Sequence, residues 1–153
     1  MSLLTVEDLV VDYPVATGTF RAVDHVSFSV DKGSTLAVVG ESGCGKSTIA
    51  KSIVRLLTPT SGRILVDGTD IAQMSERALR PFRSRVQMVF QDPYGSLDPH
   101  LTAVDIVGEP LRLQGIRSKS ERHRRAAELL DQVQLPPSSL GRRPAEFSGG
   151  QRQ

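Results

Sequence analysis

The spacing of hydrophobic positions changes several times in the first sixty residues. Val26, Phe28 and Val30 alternate with serines, which predicts a strand with one buried face. Residues 36–39 (LAVV) are continuously apolar, as is typical of a parallel strand covered on both faces. Apolar residues then recur at helical spacing, and Pro59 is predicted to end that helix. Its apolar positions are Ile49, Ile53, Leu56 and Leu57.

Beyond residue 60 the pattern changes from mixed to mostly helical. Residues 63–66 predict a short strand that leads into an Asp-Gly turn, and residues 86–90 predict a second buried strand. Helices are predicted over 75–83, 101–113 and 118–133. The last of them begins with a capping box, Ser118 and Glu121, and its buried face is predicted to consist of Ala126, Leu130 and Val133.

Composition indicates a soluble globular protein. A length of 153 residues fits a single domain, and 39% hydrophobic with 24% charged residues excludes a disordered or fibrous chain. The apolar runs are too short to cross a bilayer, and no signal peptide is recognisable at the start. The one cysteine, Cys44, excludes an internal disulfide framework and favours a reducing compartment.

Positive charge is concentrated in residues 112–125, where six basic residues stand against a single acid, Glu121. A nucleic-acid or lipid surface is one interpretation, and the solvated face of a helix is the other. We favour the second and expect no nucleic-acid partner, because no aromatic residues are interleaved for base stacking. His25, His100 and His123 follow no metal-ligand spacing and are predicted to be surface or turn residues.

Residues 40–47 (GESGCGKS) fit the phosphate-binding pattern G-x-x-x-x-G-K-[ST], between a predicted strand and a predicted helix. Glycines let successive backbone N–H groups point at phosphate oxygens, and the helix start adds its positive dipole end. Lys46 is predicted to reach the β- and γ-phosphates, and the Ser47 hydroxyl to ligate Mg²⁺. The predicted nucleotide-contacting residues are Gly40, Glu41, Ser42, Gly43, Cys44, Gly45, Lys46, Ser47 and Thr48.

A phosphate-binding loop alone leaves GTPases, nucleotide kinases, helicases and transport ATPases open. Residues 105–108 match the D-x-x-G of GTPases, but they lie in a predicted helix and the guanine-reading N-K-x-D sequence is absent. Residues 64–67 are similar to a Walker B strand. Because Gly68 follows directly, a hairpin turn is the better account.

Residues 147–151 (FSGGQ) resemble the signature motif of ABC transporter ATPases, which normally begins with leucine. The resemblance implies that Ser148, Gly149, Gly150 and Gln151 meet the γ-phosphate of ATP held by a second subunit. Gln91 matches the Q-loop of that family, whose amide helps to hold Mg²⁺ and the attacking water and senses the membrane partner. With Lys46, Gln91 is therefore a predicted catalytic residue. Tyr13 matches the aromatic residue that stacks on adenine.

The resemblance is closest to ATP-binding subunits of oligopeptide, dipeptide and nickel importers, and it covers essentially the whole chain. It implies an α/β P-loop NTPase fold with an antiparallel β subdomain, in residues 1–93, and a partial helical subdomain, in residues 94–153. It also implies a head-to-tail dimer of ATPase subunits, permease subunits, an indirect solute-binding protein, and a peripheral place on the cytoplasmic side of the cell membrane. The segments that carry it are residues 22–28, 39–48, 90–98, 109–111 and 146–153.

Several later motifs of that family are not in this sequence: the Walker B aspartate, the catalytic glutamate, the D-loop and the switch histidine. We therefore expect an N-terminal part with an incomplete core sheet, and negligible ATP hydrolysis by the chain alone. The alternative is a non-catalytic nucleotide-binding or regulatory fragment. An apolar strand ending in Asp-Glu, encoded directly downstream, would favour the ATPase.

Overall fold

The structure is a computed structural model, and it describes residues 2–92 and 95–153. Pro93 and Tyr94, part of the family-like segment 90–98, lie outside the described residues. The chain forms two compact units, Met1–Met88 and Val89–Gln153. The boundary after residue 93 stays a prediction. Within residues 2–92 and 95–153, no helix is long and apolar enough to cross a membrane.

The first unit is built on a four-stranded antiparallel sheet. Its strands are β1 (Ser2–Val15), β2 (Gly18–Asp31), β3 (Ser61–Val66) and β4 (Thr69–Asp70), in the order β2-β1-β3-β4. The alternating residues 26–30 lie in β2, as predicted. Between β3 and β4, Asp67 and Gly68 both have positive φ, 46° and 76°, which is the backbone of a two-residue hairpin turn. The hairpin interpretation of residues 64–68 is confirmed.

The core of this unit lies on one face of the sheet. Leu9, Ile64 and Leu79 are almost completely buried there, the first two from β1 and β3. Two helices close this face: α1 (Lys46–Ile53) contributes Ile49 and Ile53, and α2 (Glu76–Arg83) contributes Leu79. The predicted helix over 75–83 is confirmed, and the side chain of its first residue, Ser75, caps α2 by accepting the Ala78 N–H.

Two predicted strands are wrong. Residues 36–39 and 86–90 have no β-ladder, although both are apolar, and Val39 and Val89 are 90% and 79% exposed. A strand is buried on both faces only when other strands and helices flank it. In residues 2–92 and 95–153, the sheet includes neither segment, so each lacks the partner strands that would bury it.

The helix after the P-loop ends earlier than predicted. It stops at Ile53, six residues before Pro59, and Arg55 takes a left-handed backbone with φ 55°. The Arg55 guanidinium turns inward and donates to the carbonyls of Ile71 (2.9 Å) and Met74 (3.1 Å) and to the Thr58 hydroxyl (2.9 Å). The helix α1 therefore ends before Pro59, where the Arg55 side chain turns inward to bind these acceptors.

The second unit is helical, as predicted. It contains α3 (Ala103–Leu113), α4 (Lys119–Gln132) and α5 (Gly149–Arg152), with short 3₁₀ turns at Pro137–Ser139 and Pro144–Glu146. Residues 105–108 lie inside α3, which agrees with the helical interpretation of the D-x-x-G sequence. On α4, Ala126 and Leu130 are buried, but Val133 is 66% exposed because the helix has ended at Gln132.

Candidate functional site

The loop that precedes α1 curls because two of its glycines have a left-handed backbone. Gly43 has φ 86° and Gly45 has φ 95°, a region that costs side-chain-bearing residues about 1–2 kcal/mol. Gly45 is also the N-cap of α1 and is buried against β2. A Cβ atom there would lie 2.4 Å from the Ala22 carbonyl oxygen. The glycine is therefore required for both conformation and space.

The Lys46 side chain folds back over the loop. Its Nζ donates to the carbonyl oxygens of Gly40 (2.8 Å) and Glu41 (2.6 Å) and lies 3.5 Å from the Cys44 Sγ. The loop thus encircles an ammonium group that is held by neutral acceptors. An anionic ligand is a stronger partner for this ammonium than the two carbonyls.

The start of α1 offers further donors. The first N–H groups of a helix have no intrahelical acceptor, and the first intrahelical bond here runs from Ile49 N–H to the Gly45 carbonyl. The first turn of α1 contains no acidic residue. The Ser47 side chain is exposed at this helix end, where a hydroxyl is available as a ligand for a hard cation. These groups fit a nucleoside triphosphate with Mg²⁺.

The signature segment, residues 147–151, forms a capped helix start in the second unit. Ser148 is the N-cap of α5: its Oγ accepts the Gln151 N–H (3.3 Å), and the Gln151 Oε1 accepts the Ser148 N–H (3.0 Å). Phe147 is buried and occupies the position where the family motif has leucine. Ser148 and Gly150 are exposed.

Comparison with known proteins identifies the family. Residues 23–153 match the family model described as ABC transporter. That match spans most of the chain and includes both the P-loop and the signature segment. The chain belongs to the ABC transporter family.

Curated relatives of this ABC transporter chain carry peptide-transport names. It is 52% identical over 159 residues to a probable peptide ABC transporter ATP-binding protein of Sinorhizobium fredii, with 99% of this chain and 45% of the relative covered. It is 47% identical over 160 residues to the oligopeptide transport ATP-binding protein AppF of Bacillus subtilis, covering 99% of this chain and 49% of that protein. The chain thus spans about half the length of these curated relatives.

Solved ABC cassettes share the fold. A dimeric structure of the ATP-binding cassette MJ0796, in a post-hydrolysis state bound to ADP and Pi, superposes with a TM-score of 0.84 at 29% identity. The superposition covers 97% of this chain and 65% of the cassette chain. A second dimeric structure of MJ0796 gives the same values. The predicted fold class, an ABC-type P-loop α/β protein with an antiparallel sheet, is confirmed.

The structure places Tyr13 next to the P-loop of the ABC chain. Tyr13 lies in β1, is half-buried against the core, and its hydroxyl is 3.4 Å from the Thr48 Oγ1. Directly across the ladder from Tyr13 stands Phe20, which is 55% exposed. The sequence analysis did not select Phe20. The strand register pairs the two aromatic residues, and it is the signal that identifies Phe20 as a candidate nucleotide-contacting residue.

Gln91 and the basic segment 112–125 lie in the second unit. Gln91 is exposed. Within the basic segment 112–125, Arg112 pairs with Glu109 and Arg125 pairs with Glu121, as on a solvated helix face. Among the described residues, no cluster of histidine, cysteine, aspartate and glutamate is arranged to hold a metal ion.

Electrostatics in the helical unit centre on Asp105, the acid of the D-x-x-G sequence. The Thr102 hydroxyl donates to its carboxylate at 2.6 Å, and His123 Nε2 lies 3.1 Å from the other oxygen. These contacts, the Thr102 bond first, hold the pKa of the Asp105 carboxyl below its usual value. Asp105 is therefore part of the N-terminal cap of α3, in which Thr102 is the N-cap residue.

Proposed function

We propose that the chain is the ATP-binding part of an ABC ATPase subunit that drives the import of peptides. The observation that carries the proposal is the P-loop around the Lys46 ammonium, placed at the start of α1. The peptide-transport names of relatives that align with 99% of the chain support the substrate class. Nickel is a further candidate solute, on the sequence resemblance alone.

In this proposal the residues of the P-loop bind the phosphates of ATP. Lys46 exchanges its two carbonyl acceptors for β- and γ-phosphate oxygens, and the N–H groups of the loop and of the first turn of α1 donate to the others. Ser47 supplies an oxygen ligand for Mg²⁺, and Tyr13 contacts the adenine. Gln91 keeps the role at Mg²⁺ and the attacking water that the family resemblance implies. Bound Mg²⁺ supplies neutralisation of phosphate charge during hydrolysis.

The proposed assembly follows the dimeric cassettes that share this fold. Ser148, Gly149, Gly150 and Gln151 meet ATP bound to a second ATPase subunit, so that nucleotide joins the two. Permease subunits receive the conformational change, a solute-binding protein delivers the peptide, and the ATPase subunits lie peripherally on the cytoplasmic side of the membrane.

Equilibrium titration with ATP and Mg²⁺ tests the binding step. Lys46→Ala removes charge-assisted hydrogen bonds worth about 1.5–3 kcal/mol, so ATP affinity is expected to fall about 10- to 150-fold. Lys51→Ala is the matched control, because Lys51 is an exposed lysine in the last turn of the same helix. Equal ATP affinity of wild type and Lys46→Ala would contradict the proposal.

A further inference from the structure

The tip of the β1–β2 hairpin carries a pair of aromatic rings. Tyr13 of β1 and Phe20 of β2 are directly opposite in the ladder, between the pairs Asp12–Arg21 and Pro14–Thr19. Side chains of directly opposed residues leave the same face of a sheet, with Cβ atoms about 4.5–5.5 Å apart. Phe20 therefore lies beside Tyr13, while Thr19 leaves the opposite face.

The face that bears both rings borders the P-loop. The Tyr13 hydroxyl is 3.4 Å from the Thr48 Oγ1 at the start of α1. The close approach of Gly45 is to the backbone of Ala22, which lies two residues after Phe20 in β2. Two residues of strand span about 7 Å, so Phe20 is near the phosphate-binding loop.

The two rings differ in burial. Tyr13 is half-buried and packs against the core, whereas Phe20 is 55% exposed. Part of the Tyr13 ring is therefore covered by the protein core, whereas more than half of the Phe20 surface is accessible to a ligand. A flat aromatic ligand that is attached to phosphates matches a ring in this position, through offset stacking or edge-to-face contact.

We propose that Phe20 is a second base-contacting residue, which with Tyr13 forms a two-ring platform for the purine of a bound nucleoside triphosphate. The inference rests on the proposed function, because the P-loop must hold the phosphates. It assigns the contact with the base to both strands of the hairpin. The affinity for phosphate alone is then independent of Phe20, while the affinity for the complete nucleotide depends on it.

A fluorescence experiment tests this placement directly, because the chain contains no tryptophan. Phe20→Trp introduces a single indole at the proposed contact, and Thr19→Trp introduces one on the opposite face as the matched control. Titration of the 153-residue chain with ATP and Mg²⁺ is expected to change the emission of the Phe20→Trp variant only. Inorganic tripolyphosphate with Mg²⁺, which has no base, is expected to leave both emissions unchanged.

Affinity measurements with Phe20→Ala provide the second readout. ATP affinity is expected to fall about 3- to 10-fold, the contribution of one aromatic contact, with tripolyphosphate affinity unchanged. Thr19→Ala is expected to change neither. Circular dichroism checks that the variants fold, which the exposure of residue 20 favours.

The outcomes separate this inference from the proposed function. Unchanged ATP affinity in Phe20→Ala, or an equal loss for ATP and tripolyphosphate, would overturn the role of Phe20 while the P-loop assignment stands. An indole at residue 20 that does not respond to bound ATP would do the same. If wild type binds neither ATP nor tripolyphosphate, the proposed function fails and this inference fails with it.

Discussion

The P-loop and the signature segment both combine glycines with the start of a helix, but they treat their polar groups differently. In the P-loop, the Lys46 ammonium is held by two carbonyls, and the first turn of the eight-residue helix α1 presents N–H groups. In the signature segment, Ser148 and Gln151 satisfy each other's N–H groups at the start of the four-residue α5. The P-loop therefore offers an ammonium and N–H groups to an anion bound by one chain. In the signature segment, the N–H groups of Ser148 and Gln151 are already hydrogen-bonded to each other's side chains.

The two helices also differ in how they are anchored. At its far end α1 is followed by Arg55, which is 7% exposed, and the Arg83 guanidinium donates to the carbonyls of Val54 (3.1 Å) and Arg55 (3.4 Å). These cations lie where the negative end of the helix dipole is, so they stabilise the helix that carries the P-loop. The short α5 has one basic residue in its last turn, Arg152.

The largest effect is expected from adding one methyl group to the P-loop. Gly45→Ala combines left-handed strain with a contact of 2.4 Å to a backbone oxygen that cannot rotate away. We expect a loss of about 3 kcal/mol in the free energy of unfolding, measured by urea denaturation. Gly43→Ala is the matched control, because Gly43 has a similar φ but open space around it, and it should cost about 1 kcal/mol. Equal losses would show that the contact with Ala22 is unimportant.

The second effect tests the anchor of α1. Arg55→Met removes a guanidinium from a buried site whose acceptors include the carbonyls of Ile71 and Met74. Burial lowers the pKa of this guanidinium, yet an arginine side chain stays protonated, so its charge is held by neutral acceptors. Leaving these acceptors unpaired should cost about 2 kcal/mol of unfolding free energy. The exposed Arg77→Met should remain within about 0.5 kcal/mol of wild type, and a similar loss there would contradict the anchoring role.

Several features of the fold and of the candidate site could be predicted from the sequence, because they depend on local chemistry. The P-loop pattern, the hairpin at Asp67-Gly68 and the cap at Ser118 each follow from a few adjacent residues. Residues 36–39 and 86–90 could not be placed correctly, because apolar composition indicates burial but does not supply the neighbouring strands. Local pattern alone cannot decide which distant segment pairs with which.

The pairing of Tyr13 with Phe20 shows the same limit at the candidate site. The β1–β2 ladder contains several register shifts, among them those between Leu9 and Val11 and between Val11 and Asp12. Each shift changes which residues oppose each other and which face they leave. No shift lies between the turn and Asp12, so the partner of Tyr13 depends on where the turn falls, and the sequence analysis predicted no turn at residues 16–17. The Arg55 anchor was also missed, because its acceptors lie up to 19 residues away in the sequence.

The smallest effect is expected at the signature segment. Ser148→Ala removes an N-cap, which is worth about 1 kcal/mol, but α5 has only one turn to lose. Hydrogen exchange of the Gln151 amide should accelerate while the urea midpoint of the chain stays constant. Ser118→Ala removes the same kind of cap from the 14-residue α4, where Ser118 accepts the Glu121 N–H, and is expected to destabilise the helical unit by about 1 kcal/mol.

In a dilute solution of the monomeric chain, the ATP affinity of Ser148→Ala should equal that of wild type, because the proposed partner of Ser148 is nucleotide on a second subunit. If Ser148→Ala weakened ATP binding in the monomer as strongly as Lys46→Ala, the two segments would serve one nucleotide within a single chain, and the contrast between them would be wrong.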